Sequence, residues 1–455
     1  MLSTLLSLSA VASVATAAPS RAHSTLRRAG VLMAEKPVIV VSGVGIITSL
    51  GHGDGCWASL LEGKSGVATV SHFDASAYAT KIGGEVGVWF QAGDYFDSQK
   101  SVKQNDRYTH FGLAAARMAV EHAGLDLAAC DRSRVGVMVG SAFGGMGTFE
   151  DEVNKLTAKG PKRVSPFTIP GLLGNTVSGV IGIELGCEGP NFGVVSACAA
   201  GSHAIGQALR ALQYGEADVI LCGGAEAAIT PLSYAGFCAM KAMAADRNDD
   251  PASASRPFDA ARSGFVMGEG SGVIVLETLE HALKRGAADK VLCELAGYAA
   301  TCDAHHITTP HPEGQGLFRC LQQALADAKV DPADVGYVNA HGTSTAYNDR
   351  FETMAYKRVW GPAASELLIS STKSMIGHTL GAAGGIEAAI CALALKTGDI
   401  PPTINYETLD ADCDLNYCAN VAHKLPTGKR VAVSDNLGFG GHNAALVFRQ
   451  IDAMA

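Results

Sequence analysis

No stretch of this 455-residue chain sustains the roughly 18 uninterrupted apolar residues that a bilayer span needs, which excludes a membrane-spanning helix. No CxxC pair and no N-x-S/T sequon occurs, and the twelve cysteines are scattered. A zinc ribbon and a disulfide scaffold are therefore excluded, and the thiols read as reduced. Charge of one sign is never concentrated: 35 Lys and Arg stand against 44 Asp and Glu, for a net charge of −9, with no basic block. A nucleic-acid-binding surface would need such a block. SGVGIITSLG, residues 42–51, has a glycine turn after a strand but not the full dinucleotide fingerprint, so no nucleotide cofactor is assigned.

One absence is local. The first acidic residue is Glu35; MLSTLLSLSAVASVATAAPS is apolar and ends in small residues, and RAHSTLRRAGVLMA after it is basic and hydroxyl-bearing. A signal-like stretch followed by a transit-like one reads as a targeting segment, residues 1–34, that is removed before the protein works. It suits import into a plastid bounded by extra membranes, with the mitochondrion as the alternative.

Apolar bulk and glycine are plentiful: 47% of residues are apolar, only 17% are charged, and there are 53 glycines. A chain of this length is too long for one ordinary core, so it reads as soluble and globular, with two domains or one fold of two similar halves. PVIVVSG, VGVMVGS, DVILCGGAE and GVIVLETL read as buried strands, as do CELAGYAA, DVGYVNAHGTS and LLISSTKS further on. Helical patterns alternate with them, among them HFGLAAARMAVEHAGL, GLFRCLQQALADAKV, DRFETMAYKRVWG and GGIEAAICALALKTG. VAVSDNLGFGGHNAALVFR reads as a strand pair around a glycine turn. The alternation predicts an α/β protein with a largely parallel sheet, in halves 37–290 and 291–450 that look like an internal duplication.

Cys198 stands in VVSACAAGSHAIG, residues 194–206, between an apolar segment and a helix on which Ile205, Leu209 and Leu212 recur at helical spacing. A thiol in a helix's first turn faces unpaired N–H groups and the positive end of the dipole, which favours the thiolate. A free cysteine is more often a small buried hydrophobe, and the other eleven are read that way. Its company sets Cys198 apart. His341 in NAHGTST and His378 in TKSMIGH sit at the ends of predicted strands; His378 follows Lys373 by five residues, precedes the small-residue run TLGAAGG, and is followed later by GFGGHN. HHITTPH offers His305, His306 and His311, but adjacent histidines rarely share one metal and no carboxylate pattern completes a sphere, so no metal is assigned.

Residues 37–449 resemble the β-ketoacyl-[acyl-carrier-protein] synthases, the condensing enzymes of types I and II. The resemblance rests on SACAAGSHAIG, CGGAEAAITP, SRPFDAARSGFVMGEGSG, CDAHHIT, NAHGTST, STKSMIGHTLGAAGG, PPTINYE and LGFGGHN in that order. It implies a thiolase-like fold, duplicated βα halves in five αβαβα layers, usually as a homodimer. It also implies an acyl carrier protein as partner, which brings the phosphopantetheine, and no cofactor of the chain's own. Carried over by position, it makes Cys198 the nucleophile that holds the acyl chain, and His341 and His378 the pair serving decarboxylation and condensation. Lys373 and Glu352 become the charged groups supporting that pair, and the backbone N–H groups of Cys198 and Phe439 the oxyanion hole. Thr308, Thr343 and Thr345 match contacts to the phosphopantetheine arm, and Lys64 and Lys241 match carrier-docking residues.

The implied reaction is a decarboxylative Claisen condensation. Two neutral imidazoles donating to one enolate oxygen need defined tautomers, which the lysine and carboxylate are expected to fix electrostatically. Three departures stand out. DNLGFGG replaces the usual NSFGFGG, putting Leu437 where an aromatic is common beside Phe439; Ser-Ala rather than Thr-Ala precedes the thiol; and Phe143 in GSAFGG stands where a smaller residue usually lines the acyl pocket. A thiolase would carry a second cysteine near the C-terminus, where GFGGHN has none, and type III condensing enzymes have asparagine at the place of His378. A non-condensing chain-length partner would lack the nucleophile. A stand-alone polyketide ketosynthase shares the chemistry and remains the alternative.

Overall fold

The computed structural model describes residues 36–451; the targeting segment read at 1–34 lies outside them. Each half contributes five strands to the continuous run of the main sheet. The first has β1 (Ile39–Thr48), β2 (Val135–Gly140), β3 (Asn191–Val194), β4 (Val219–Glu226) and β5 (Gly270–Thr278). The second has β6 (Cys293–Cys302), β7 (Val335–Asn339), β8 (Leu368–Ser370), β9 (Val431–Gly438) and β10 (His442–Arg449). In space the sets run β3-β2-β4-β5-β1 and β8-β7-β9-β10-β6. Ranked within its own half, each follows the order 3-2-4-5-1. In both, the first two pairings are parallel and the last two antiparallel. Shared order and shared sense are what an internal duplication produces. The runs meet where β1 pairs with β6, Val40 opposite Glu294 and Val41 opposite Cys293.

The expectation of a largely parallel sheet is therefore corrected, because half of the pairings in each run are antiparallel. Between β9 and β10 the cause is local. Only residues 439–441 connect them, too few for the crossover that a parallel pair requires, and Gly440 and Gly441 turn the chain at φ 92 and 78. Two expected strands also stop early. The one read through NAHGTS ends at Asn339, and the one read through STKS ends at Ser370, before a helical turn at Lys373–Ile376. Past Asn339 the N–H groups of His341 and Gly342 go to the Glu352 carboxylate rather than to a ladder, so the histidine stands on a loop at the strand's end.

Five helices frame the site: α1 (Arg107–Ala123), α2 (Ala200–Gln213), α3 (Gln315–Ala328), α4 (Ala346–Trp360) and α5 (Ala383–Thr397). α1 covers β1, β4 and β5, while α3 covers β6 and β10. Between the runs, α2 packs on β2, β4 and β10, and α5 on β4, β5 and β9. Helix, sheet, helix pair, sheet, helix are the five layers expected of a thiolase-like fold. Leu380–Thr397 is long and apolar enough to cross a membrane by length and composition, but 83% of it is buried inside this protein; it is a core helix.

α2 and α5 cross through glycine. A Cβ on Gly201 would lie 2.8 Å from the Gly385 nitrogen, and one on Gly385 would lie 2.2 Å from the Gly272 oxygen and 2.5 Å from the Gly224 nitrogen. All of these are backbone atoms of packed elements and none can swing aside. Replacing a mid-helix glycine by alanine ordinarily gains about 1 kcal/mol in helix propensity, but overpacking against fixed backbone costs about 1–3 kcal/mol or more. Gly385→Ala is therefore expected to lower stability by about 1 kcal/mol net, read as a lower urea midpoint. An unchanged or raised midpoint would mean that α5 is not packed this tightly on β4 and β5.

Candidate active site

The segment after β3 makes a tight turn before α2. Ala197 takes φ 51, a left-handed value unusual for a residue with a side chain, and Cys198 follows in the single turn Ala197–Ala199. α2 then starts with no side-chain cap. The β9–β10 turn lies against this one: a Cβ on Gly438 would come within 2.7 Å of the Ser196 oxygen and 3.3 Å of the Cys198 nitrogen. That approach is why the turn is built of glycine, and it sets the Phe439 backbone beside that of Cys198.

The second half supplies the imidazoles. His378 is pinned to the first half by backbone, its N–H donating to Val266 O at 2.7 Å and its O accepting from Gly268 N at 2.9 Å. His341 is held through Glu352, which accepts from the His341 N–H at 2.6 Å and from the Gly342 N–H at 2.8 Å. The two rings stand 5.2 Å apart and nearly perpendicular. Together with Cys198 they line one cavity of about 380 Å³.

Hydrogen bonding defines both tautomers. The Leu380 N–H donates to His378 Nδ1 at 3.3 Å, and Asn436 Nδ2 donates to His341 Nδ1 at 3.3 Å. Each Nδ1 is thus an acceptor, and each ring carries its proton on Nε2. Burial, then the charge of Lys373, hold both imidazoles well below their ordinary 6.5, with His378 adding to the effect on His341. Both are neutral donors at pH 7.

Lys373 and Glu352 work differently from the expectation. Among its hydrogen bonds, Lys373 Nζ donates to Glu387 Oε1, forming an ion pair deep in the interior. Glu387 Oε2 in turn accepts from Asn436 Nδ2 at 2.6 Å. Glu352 touches no imidazole; besides the two backbone groups it accepts from Asn348 Nδ2 at 3.0 Å and from the Tyr356 hydroxyl at 2.7 Å. It fixes the loop that carries His341, not the ring. The hydrogen bonds to the two Nδ1 atoms come from Asn436 and Leu380, and Lys373 acts on the rings through its charge.

A second correction concerns the thiol. Burial pushes Cys198 up to about 12, with the charge of Lys373 opposing and that of Glu226 adding to the rise. Burial thus raises the thiol where the helix terminus was expected to lower it.

Glu226, within CGGAEAAITP, carries no motif signal of its own; it ends β4 and joins the two halves. It accepts from Ser141 Oγ at 3.0 Å, Ala142 N at 2.6 Å and Gly381 N at 3.1 Å, and burial pushes it up to about 7.

Thr308, Thr343 and Thr345 all line the cavity, with Thr343 Oγ1 and Thr345 Oγ1 3.0 Å apart. Phe143 lines it too, 43% exposed, edge-on to Phe237 at 6.3 Å; Phe237 lies 6.4 Å from Phe439. Leu437 is buried and also lines the cavity. Lys241 stands exposed on the cavity wall. Lys64 does not line it and pairs with Glu62 on the surface. His306 Nδ1 accepts from Thr308 N and Thr309 N at 3.2 Å, a loop-capping role. Among the described residues no group of three or more His, Cys, Asp or Glu side chains is placed to hold a metal.

Known proteins place this arrangement in context. Residues 36–282 match the family described as beta-ketoacyl synthase, N-terminal domain, and residues 292–407 match its C-terminal domain. A 3-oxoacyl-[acyl-carrier-protein] synthase 2 of Synechocystis sp. is 48% identical over 417 residues, 91% of this chain and 99% of that protein. Its namesake in Staphylococcus aureus is 44% identical over 422 residues, 92% of this chain and 100% of that one. Among solved structures, a type II polyketide complex of an acyl-carrier protein with its ketosynthase superposes with a TM-score of 0.84 at 33% identity, covering 92% of this chain and 100% of that one. A beta-ketoacyl synthase from Burkholderia phymatum gives 0.83 at 32%, covering 91% and 100%.

Because burial favours the thiol, alkylation of Cys198 by iodoacetamide is expected to keep accelerating from about pH 8.5 to about pH 9.5, as read by quantitative peptide mass spectrometry. A rate already level below about pH 8 would reveal a preformed thiolate and contradict the assignment.

Proposed function

The chain belongs to the β-ketoacyl synthase family, and from that membership we propose that it is a 3-oxoacyl-[acyl-carrier-protein] synthase that extends acyl chains by two carbons. The observation that carries the reading is the convergence of Cys198, His341 and His378 on one cavity. Identity of 44–48% to 3-oxoacyl synthases, against 33% to the polyketide ketosynthase, favours fatty-acid elongation over polyketide assembly.

In the first half-reaction the Cys198 sulfur attacks an acyl thioester. A carbon–sulfur bond forms, the carrier's thiol departs with the proton, and backbone N–H groups of Cys198 and Phe439 receive the tetrahedral oxyanion. In the second, malonyl-carrier protein loses CO₂, and the electron pair of the broken carbon–carbon bond becomes an enolate. The two Nε2–H groups receive its oxygen; one such donor is worth about 3 kcal/mol where charge develops in a dry site. The enolate carbon then attacks the acyl-Cys198 carbonyl, the carbon–sulfur bond breaks, and the thiol regains a proton. The products are a 3-oxoacyl thioester and CO₂. The enzyme needs no cofactor of its own, since phosphopantetheine arrives on the acyl carrier protein.

Thr308, Thr343 and Thr345 are assigned to the phosphopantetheine arm. Lys241, on the cavity wall, fits carrier docking better than the surface-paired Lys64. A homodimer is supported by β3, which among the described residues pairs with β2 on one side only and has Phe192 42% and Val195 66% exposed at that edge; sedimentation reads this directly. Delivery to a plastid rests on residues 1–34 alone, and imaging a fluorescent fusion decides between plastid and mitochondrion.

Cys198→Ala is expected to abolish condensation yet still release CO₂ from malonyl-carrier protein. Adding His341→Ala or His378→Ala cuts that release by about 10²–10³. Imidazoles held below 6.5 stay neutral as pH falls, so CO₂ release by Cys198→Ala should remain flat from about pH 8 to about pH 6. A fall centred near 6.5 would contradict neutral donors. Phe143, with its ring in the wall beside Phe237, is inferred to shorten the accepted primer. Phe143→Ile should lengthen the product profile, and an unchanged profile discards the inference.

A further inference from the structure

Asp435 and Asn436 are neighbours on β9, so their side chains leave opposite faces of the sheet. Both reach the surroundings of His341, from opposite sides. On one side, Asp435 Oδ1 lies 2.7 Å from the Tyr356 hydroxyl, which lies 2.7 Å from Glu352 Oε1, the carboxylate that holds the His341 backbone. On the other, Asn436 Nδ2 sits 2.6 Å from Glu387 Oε2 and 3.3 Å from His341 Nδ1, while Asn436 Oδ1 accepts from the Ser202 hydroxyl.

Counting hydrogens orients the asparagine. Glu387, ion-paired with Lys373, can only accept, so Asn436 must turn its NH₂ toward it. One N–H of that group serves Glu387, and the other points at His341 Nδ1. That ring nitrogen must then carry a lone pair, which leaves the ring's proton on Nε2. His378 reaches the same state through a main-chain donor, the Leu380 N–H, which any sequence would supply. His341 has only a side chain for the purpose. Asn436 also stands where the family usually has the serine of NSFGFGG, and the single O–H of a serine cannot donate to a carboxylate and an imidazole at once.

We propose that Asn436 is a positioning residue that selects the His341 tautomer and ties the Lys373–Glu387 ion pair to the ring. The proposal rests on the reading of His341 as an enolate-stabilising donor. Its chemistry is a proton held in place rather than transferred: the Asn436 N–H occupies Nδ1, so the Nε2–H is available to the developing oxygen. The consequence belongs to the chemical step and not to substrate binding, because Asn436 is not among the residues lining the cavity.

The mature protein carrying Asn436→Asp tests this. The substituted side chain has the same shape, but an oxygen faces Nδ1, and the ring then places its proton there and presents a lone pair at Nε2. For CO₂ release from malonyl-carrier protein, kcat is expected to fall more than tenfold with KM changed less than twofold. A smaller fall in kcat, or a change shared with KM, overturns the proposal. Should Asn436→Asp fail to fold, Asn436→Leu, which keeps the volume and adds no charge beside Glu387, is judged by the same two numbers. A parent protein that releases no CO₂ overturns the functional reading and the proposal with it, and is a different failure from that of the variants.

Discussion

The closeness of the α2–α5 crossing governs the rest of the molecule. Cys198 precedes α2 and belongs to the first half; His378 precedes α5 and belongs to the second. Neither half alone brings sulfur and imidazole together. Glycines at 201, 224, 272 and 385 let backbone meet backbone where α2 and α5 pack on each other and on β4 and β5, and each ångström of added separation would move the thiol's turn away from the histidine loops. Glu226 reinforces the join by taking N–H groups from both halves, at Ala142 and Gly381. A second seam runs through His378 itself, whose backbone is bonded to Val266 and Gly268. Reactivity here is a property of an interface within one chain.

Burial is the first cause of every large shift at this interface, and it acts in one direction: it removes charge from the reacting groups. Cys198 stays a thiol, and His341 and His378 stay neutral. Lys373 opposes burial at the sulfur and adds to it at the rings, so a single buried ammonium favours the nucleophile and keeps the donors uncharged. Its partner Glu387 lies behind Asn436, out of contact with the imidazole. The outcome is a pocket whose donors are aimed before any charge exists. Oriented dipoles of this kind stabilise a developing oxyanion without reorganising.

Much of this was legible from the letters alone. Apolar runs marked the strands, and the spacing of Ile205, Leu209 and Leu212 marked α2. The ordered landmarks from SACAAGSHAIG to LGFGGHN marked the family, the thiol and both histidines. What escaped depended on residues far apart in sequence. Glu387, in GGIEAAICALALKTG, looks like an ordinary helix charge until Lys373 folds onto it. Glu226 passed as the end of a strand. Glu352 meets the His341 backbone rather than its ring, and an eleven-residue spacing says nothing about backbone against ring. The rise at the thiol is not legible in the letters because a helix terminus is a local feature, whereas dehydration sums over every element packed around the sulfur. The antiparallel pairings escaped because strand periodicity carries no direction; only the three-residue length of the β9–β10 turn hinted at it.

Intact-protein mass spectrometry of the acyl-enzyme tests the account most directly. Mixing the protein with an acyl-carrier protein bearing a defined chain should add one acyl mass, mapped by proteolysis to the peptide containing Cys198. Malonyl-carrier protein should then discharge it as a 3-oxoacyl chain two carbons longer. An acyl group found on another residue, or an acylated Cys198 that malonyl-carrier protein leaves untouched, would show that thiol and imidazoles do not share one thioester.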